Sequence, residues 1–134
     1  MKSWIDRILW ETRPYIKYWR YSVFKGLNDM AKTVHENAKN KGWWEDGERN
    51  FGEMCALITS EVSEAFEEYR KGVSPRVVYL SKDGKPEGIG IELADVVIRI
   101  LDYCAYTNID IEAMITRKHL YNTTRPYRHG GKKA

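Results

Sequence analysis

Residues 89–106, IGIELADVVIRILDYCAY, decide the fold of this chain. Apolar or aromatic side chains fill most of these positions and, at helical spacing, cover most of the circumference of one helix. A helix with so little polar surface belongs in the interior of a bundle. The segment therefore predicts an all-α protein built around a central helix.

Charged side chains nevertheless interrupt this helix. Glu92, Asp95, Arg99 and Asp102 follow one another at helical spacing and so lie on one stripe. Burying an unpaired carboxylate costs about several kcal/mol, even after the surroundings relax. We therefore expect something cationic to face the stripe.

A second acidic pair, Glu61 and Glu64, lies on the preceding predicted helix. Two such pairs on antiparallel helices can direct four oxygen ligands to one point, and hard oxygen ligands favour Mg²⁺, Mn²⁺ or Ca²⁺. The alternative is that the glutamates of this helix form a solvated face. We adopt that alternative for Glu67 and Glu68, paired with Arg70 and Lys71 by surface interactions.

The rest of the chain completes a helical bundle of four to five helices. Helices are predicted from Leu27 to about Asn40, from about Asn50 to Lys71, and from Asp110 to about Tyr121, with a connector over 73–88. One apolar face is predicted for the second helix. Its members are Phe51, Met54, Cys55, Ile58, Val62, Ala65, Phe66 and Tyr69.

The composition is that of one globular domain, with 134 residues, 43% hydrophobic and 31% charged. Neither a membrane-spanning run nor a secretory signal is recognisable. We expect Cys55 and Cys104 to be reduced core residues of a cytoplasmic protein.

The two ends of the chain differ from its acidic centre. Residues 1–25 are aromatic and basic, and we interpret them as a packing or oligomerisation arm; a membrane-surface or nucleic-acid arm is the alternative. No acidic residue follows Glu112, and the basic tail can hold nucleic acid or the phosphates of a small ligand. We expect the tail from Asn122 to be partly mobile without ligand.

Two motifs and the tail together resemble one family. Residues 57–65, LITSEVSEA, and 88–96, GIGIELADV, resemble the Glu-Glu-x-x-Glu … Glu-x-x-Asp signature of MazG-like enzymes, which belong to the all-α nucleoside triphosphate pyrophosphatase superfamily. The tail 121–133, YNTTRPYRHGGKK, is similar to the end of small phage-type members. The resemblance covers about 27–133, with one departure, because Ser60 replaces the first Glu of the family signature.

The resemblance implies a MazG-like domain over 26–134, in a bacterial cell or a phage-infected host. It also implies hydrolysis of (d)NTPs between the α and β phosphates, giving (d)NMP and pyrophosphate in nucleotide-pool housecleaning. Mg²⁺, or Mn²⁺ as a substitute, would be held by Glu61, Glu64, Glu92 and Asp95. Glu61 would also orient the attacking water.

The resemblance further implies which side chains hold the substrate. Lys118, Asn122, Arg125 and Arg128 would bind its phosphates, and Trp44 and His35 would bind its base. Relatives form dimers or tetramers, and the apolar third helix needs additional cover. We therefore predict a homodimer or homotetramer that binds nucleoside triphosphate and no membrane.

Two other functions compete with this one. A catalytically weak nucleotide sensor or partner protein would retain the site without turnover, and the departure at Ser60 favours it. A nucleic-acid-binding module would explain the basic tail, but it leaves Glu92 and Asp95 without a purpose.

Overall fold

The computed structural model describes residues 24–133, and the predicted N-terminal arm lies almost entirely outside them. The elements, in chain order, are α1 Leu27–Asn40, α2 Phe51–Arg70, β1 Tyr79–Leu80, β2 Pro86–Glu87, α3 Ile89–Tyr106, α4 Ile111–Thr123 and the short α5 Arg128–Gly131. Within this part of the chain the only sheet is the two-stranded antiparallel β1–β2 hairpin. The all-α prediction is confirmed.

Local capping explains where two of these helices begin. The side chain of Asn50 accepts hydrogen bonds from the backbone N–H groups of Gly52 and Glu53, which would otherwise be unsatisfied at the start of α2. Asp110 does the same for Ala113 at the start of α4. Both residues were the predicted starting points.

The central position of α3 follows from its contacts, because α1 and α2 both pack against it. Both run antiparallel to α3. The contacts that fix these directions are His35 with Asp102 and Asn28 with Asp110 for α1, and Phe51 with Tyr103 and Glu61 with Arg99 for α2. Among the described residues, the buried apolar side chains are Ala31, Met54, Ala65, Leu101 and Cys104. The core is therefore small and centred on α3.

The predicted apolar face of α2 is partly wrong. Met54 and Ala65 are buried, whereas Phe51, Cys55, Val62, Phe66 and Tyr69 are exposed. The inward face also carries Glu61 and Glu68, so α2 is rotated relative to the prediction, and much of its apolar stripe points outward. The prediction that Cys55 lies in the core is wrong, while Cys104 is buried as expected.

Glu68 is a second correction, since it is buried and not part of a solvated face. It accepts hydrogen bonds from the Tyr79 hydroxyl at 2.8 Å and from Lys71 Nζ at 2.5 Å. Glu67 does form the predicted exposed pair with Arg70. The Glu68–Tyr79 bond ties β1 to α2 and thereby fixes the hairpin beside the start of α3.

The helix α3 was predicted to be interior, and in one chain it is covered on only part of its surface. Leu93, Val97 and Ile100 remain 36–48% exposed along one side. Helix α4 contains no buried residue and is joined to the start of α1 by hydrogen bonds from Asn28 and Leu27. In the described part of the chain, no helix combines the length and the apolar character needed to cross a membrane.

Candidate metal and nucleotide site

Three of the four predicted metal ligands meet between α2 and α3. Glu61 from α2, and Glu92 and Asp95 from α3, each direct a carboxylate oxygen into a region where all three oxygens lie within 4.8 Å of one another. Glu61 and Glu92 are buried, and Asp95 is partly buried. Glu64, the fourth, is exposed and lies outside this group. We call Glu61, Glu92 and Asp95 the acidic cluster.

Glu92 is the least compensated member of the acidic cluster. Its side chain is only 1% exposed, and its Oε2 has no hydrogen-bond partner among residues 24–133. The pKa of Glu92 is raised to about 7, first by burial and then by a hydrogen bond with the Glu87 carboxyl, against a smaller opposite effect of Lys85. An oxygen that is buried and unpaired in this way is expected to have a cation or a proton as its partner.

Asp95 is subject to similar forces. Burial raises its pKa first, and repulsion from Glu61 adds to the effect, whereas Lys85 and Arg99 oppose it. The ionised cluster therefore carries more negative charge than the nearby basic side chains neutralise. The donor set consists of carboxylate oxygens alone, which suits Mg²⁺ or Mn²⁺ better than zinc.

Arg99 binds one member of the acidic cluster directly, and Lys85 is near enough to lower the pKa values of Glu92 and Asp95. Arg99, one turn after Asp95, binds Glu61 through Nε and Nη2, both 2.6 Å from Oε1. Lys85 of the hairpin lies 3.5 Å from Glu87. Arg99 lies on the charged stripe of α3, for which the sequence predicted a cationic partner. The sequence did not show that Arg99 itself reaches Glu61 on α2.

A cavity of about 460 Å³ opens beside the acidic cluster, between α1, α2, α3 and the loop after α1. It has one exposed aromatic residue, Trp43, and polar side chains around its wall. Its lining residues include Asn37, Trp43, Arg49, Glu61, Asp95, Arg99 and Asp102. The volume falls in the range of small-molecule sites.

The predicted base-binding residues, Trp44 and His35, lie instead in a packed cluster. Trp44 Nε1 donates to Asp102 at 3.1 Å, and His35 Nδ1 lies 2.6 Å from the same carboxylate. Trp44 stacks on Tyr106 with ring centroids 4.2 Å apart. Neither residue lines the cavity beside the acidic cluster. They border a separate cavity of about 350 Å³.

Trp43 is the aromatic residue that does line the larger cavity, and its side chain is 62% exposed. Arg49 Cζ lies 5.6 Å from the Trp43 ring centroid, and Arg49 Nε donates to the Trp43 carbonyl. Two adjacent tryptophans of one loop therefore differ in environment. The sequence does not show which of the two faces the cavity, because both lie in the same turn.

The predicted phosphate-binding residues are grouped away from this cavity. Helix α4 runs through Thr123, so Lys118 and Asn122 lie on one helix as expected. Lys118 and Arg125 both lie over the Tyr121 ring, at 5.1 and 5.8 Å. In the described residues of one chain, neither these side chains nor Arg128 line the cavity beside the acidic cluster.

Comparison with known proteins gave no match, since no family model, curated protein or solved structure corresponds to this chain.

Proposed function

We propose that this protein is a MazG-like, Mg²⁺-dependent pyrophosphohydrolase that cleaves (d)NTPs between the α and β phosphates. The observation that carries the proposal is Glu92, a fully buried carboxylate with an unpaired oxygen beside Glu61 and Asp95. In its ionised form this carboxylate requires a cationic partner, because removing charge from water without a partner is strongly unfavourable. The motif resemblance supplies the reaction class, and the adjoining cavity has room for a nucleotide.

In this proposal each side chain has a defined task. Glu61, Glu92 and Asp95 hold the divalent cation, with Glu64 at the exposed edge. The bound cation would polarise the α-phosphate and lower the pKa of the attacking water. Glu61 orients that water, since it faces both the cluster and the cavity. Trp43, and not Trp44, is the aromatic platform for the base.

Lys118 of α4 and the basic residues that follow this helix enter the proposal through a second copy of the chain. Helix α4 has no buried residue, and Met114, Ile115 and Leu120 are exposed along it. The uncovered α3 face is also apolar, so α4 of another protomer is suited to cover it. Such an arrangement would bring positive charge to an acidic site. We therefore propose a homodimer or homotetramer in which Lys118, Asn122, Arg125 and Arg128 complete the partner's site.

A second candidate function is a nucleotide sensor that binds without turnover. Ser60 favours it, because its hydroxyl donates to the Leu57 carbonyl at 2.7 Å and the residue is exposed. The position of the family's first glutamate therefore offers no carboxylate, and only the remaining glutamates can act on water. Turnover distinguishes the sensor from the enzyme.

The decisive experiment is a pyrophosphate-release screen over the common NTPs and dNTPs with Mg²⁺ and with Mn²⁺. We expect turnover by the wild type and loss of at least about 100-fold in Glu92→Gln. Glu67→Gln is the matched control, since Glu67 is an exposed glutamate on α2 that pairs with Arg70. Unchanged activity in Glu92→Gln would falsify the site. Nucleotide binding without pyrophosphate release would establish the sensor.

Subunit complementation tests the assembly separately. We expect Glu92→Gln and the double variant Lys118→Gln/Arg125→Gln each to be inactive, and a refolded mixture to regain part of the activity. In a mixed dimer, one site then combines an intact acidic cluster with an intact α4. No recovery would place both groups in one protomer. A species of only 15.7 kDa in light scattering would exclude the oligomer.

A further inference from the structure

The bond between Arg99 and Glu61 joins a predicted metal ligand to the wall of the cavity. Both Nε and Nη2 of Arg99 lie 2.6 Å from the same oxygen, Glu61 Oε1. The Glu61 side chain is only 9% exposed, whereas that of Arg99 is 32% exposed and lines the cavity. The guanidinium therefore sits between the acidic cluster and the space beside it.

A divalent cation and this guanidinium compete for Glu61. The carboxylate oxygens of the cluster lie within 4.8 Å of one another, so a cation among them is close to Arg99 and repels it. Coordination also withdraws from Glu61 the negative charge that holds the guanidinium. Cation binding should therefore weaken the Arg99–Glu61 bond.

A displaced Arg99 has no free carboxylate on the cavity wall. Asp95 belongs to the acidic cluster, and Asp102 already accepts from Trp44 and lies against His35. The released guanidinium can still turn to the cavity, whose proposed occupant carries phosphate groups. Guanidinium binds phosphate through two parallel N–H donors, and a planar fork suits this better than the ammonium of lysine.

We propose that Arg99 is a phosphate-binding residue that the metal ion releases from Glu61. In the metal-free protein Arg99 binds Glu61. In the metal-bound protein it binds the phosphates of the substrate held by the same protomer. The inference rests on the proposed function and adds a binding order to it. Metal and nucleotide then bind with positive cooperativity, because each favours the released state of Arg99.

Calorimetric titration of Arg99→Gln separates this role from a structural one, because two affinities should move in opposite directions. Titrated with Mn²⁺ alone, the variant has lost the competitor for Glu61 and should bind about three- to ten-fold tighter than the wild type. Titrated with an α,β-imido nucleotide in saturating Mn²⁺, it should bind at least about ten-fold weaker. A merely structural Arg99 would weaken both.

Two further variants make the result specific. Arg99→Lys keeps the charge and so should keep the wild-type Mn²⁺ affinity. It should bind nucleotide more weakly, because lysine lacks the two parallel N–H donors of the guanidinium. Arg70→Gln removes an exposed arginine from its pair with Glu67 and should change neither affinity. Circular dichroism verifies that each variant is folded. If Arg99→Gln does not fold, Arg99→Lys tests the phosphate role, and Arg99→Met, which also removes the charge, tests the competition for Glu61.

The possible failures are distinguishable. Unchanged or weaker Mn²⁺ binding by Arg99→Gln overturns the competition, and unchanged nucleotide affinity in both Arg99 variants overturns the phosphate role. A wild type that binds Mn²⁺ but no nucleotide overturns the proposed function together with the phosphate role. Tighter Mn²⁺ binding in Arg99→Gln would still support the competition for Glu61.

Discussion

Replacing Glu92 with glutamine should make the metal-free protein more stable at alkaline pH, although it removes activity. The Glu92 side chain is 1% exposed, and burial above all raises its pKa from the ordinary value of 4.5 to about 7. Between these values the folded protein keeps a proton that the unfolded chain has lost. The stability of the metal-free wild type therefore falls as the pH rises through this window.

The size of the effect follows from the same two pKa values. A displacement from 4.5 to about 7 corresponds to about 3 kcal/mol of unfolding free energy, fully lost once the pH exceeds 7. Glutamine has the same shape and does not ionise. The stability advantage of Glu92→Gln over the wild type should therefore grow by about 2–3 kcal/mol between pH 5 and pH 8.

Urea denaturation in EDTA at pH 5 and pH 8 measures this difference at one fixed protein concentration, because an oligomer's stability depends on concentration. Comparing each protein with itself at two pH values cancels any packing effect of the substitution that does not depend on pH. Glu67→Gln, on the exposed side of α2, should follow the wild type.

An equal loss of stability in wild type and Glu92→Gln between the two pH values would refute the reasoning. Saturating Mg²⁺ at pH 8 should stabilise the wild type more than Glu92→Gln, since the variant lacks one of the carboxylates that bind the cation.

Four other substitutions test neighbouring parts of the structure. Trp43→Ala should raise KM for nucleotide about ten-fold in pyrophosphate-release kinetics, because a ring stacked on a base contributes about 1–3 kcal/mol. Trp44→Ala should chiefly lower the stability of the protein in urea denaturation. Gly88→Ala should destabilise the protein by more than about 1 kcal/mol in urea, since Gly88 has a φ of +126° and an added Cβ would collide with the Val77 carbonyl. Tyr79→Phe should lower the unfolding free energy by about 1–2 kcal/mol, because buried Glu68 loses a donor, and an unchanged urea midpoint would contradict this.

The acidic pair on α3 could be identified from the residues because its context is local. A carboxylate within an apolar helix has an energetic requirement whatever the rest of the chain does, and Glu92 is indeed buried. The same reasoning could not assign Glu61, which on α2 resembles ordinary surface charge. Its place in the acidic cluster depends on how α2 is rotated against α3.

The two tryptophans show the same limit in a loop. Trp43 and Trp44 are adjacent in sequence, and no periodicity separates them. Trp44 found Asp102 and Tyr106 on α3, whereas Trp43 was left on the cavity wall. The different environments of Trp43 and Trp44 therefore depend on contacts with residues that are distant in the sequence.

The sequence by itself determined the four longer helices, the starts of two of them near Asn50 and Asp110, and the need for a counter-charge beside Glu92. These depend on spacing and on side-chain chemistry within a few residues. Only the tertiary structure decided that Arg99 meets Glu61, that Glu68 is buried against Tyr79, and that much of the α2 apolar stripe faces outward. Periodicity shows that an apolar face exists, but packing alone shows what covers it.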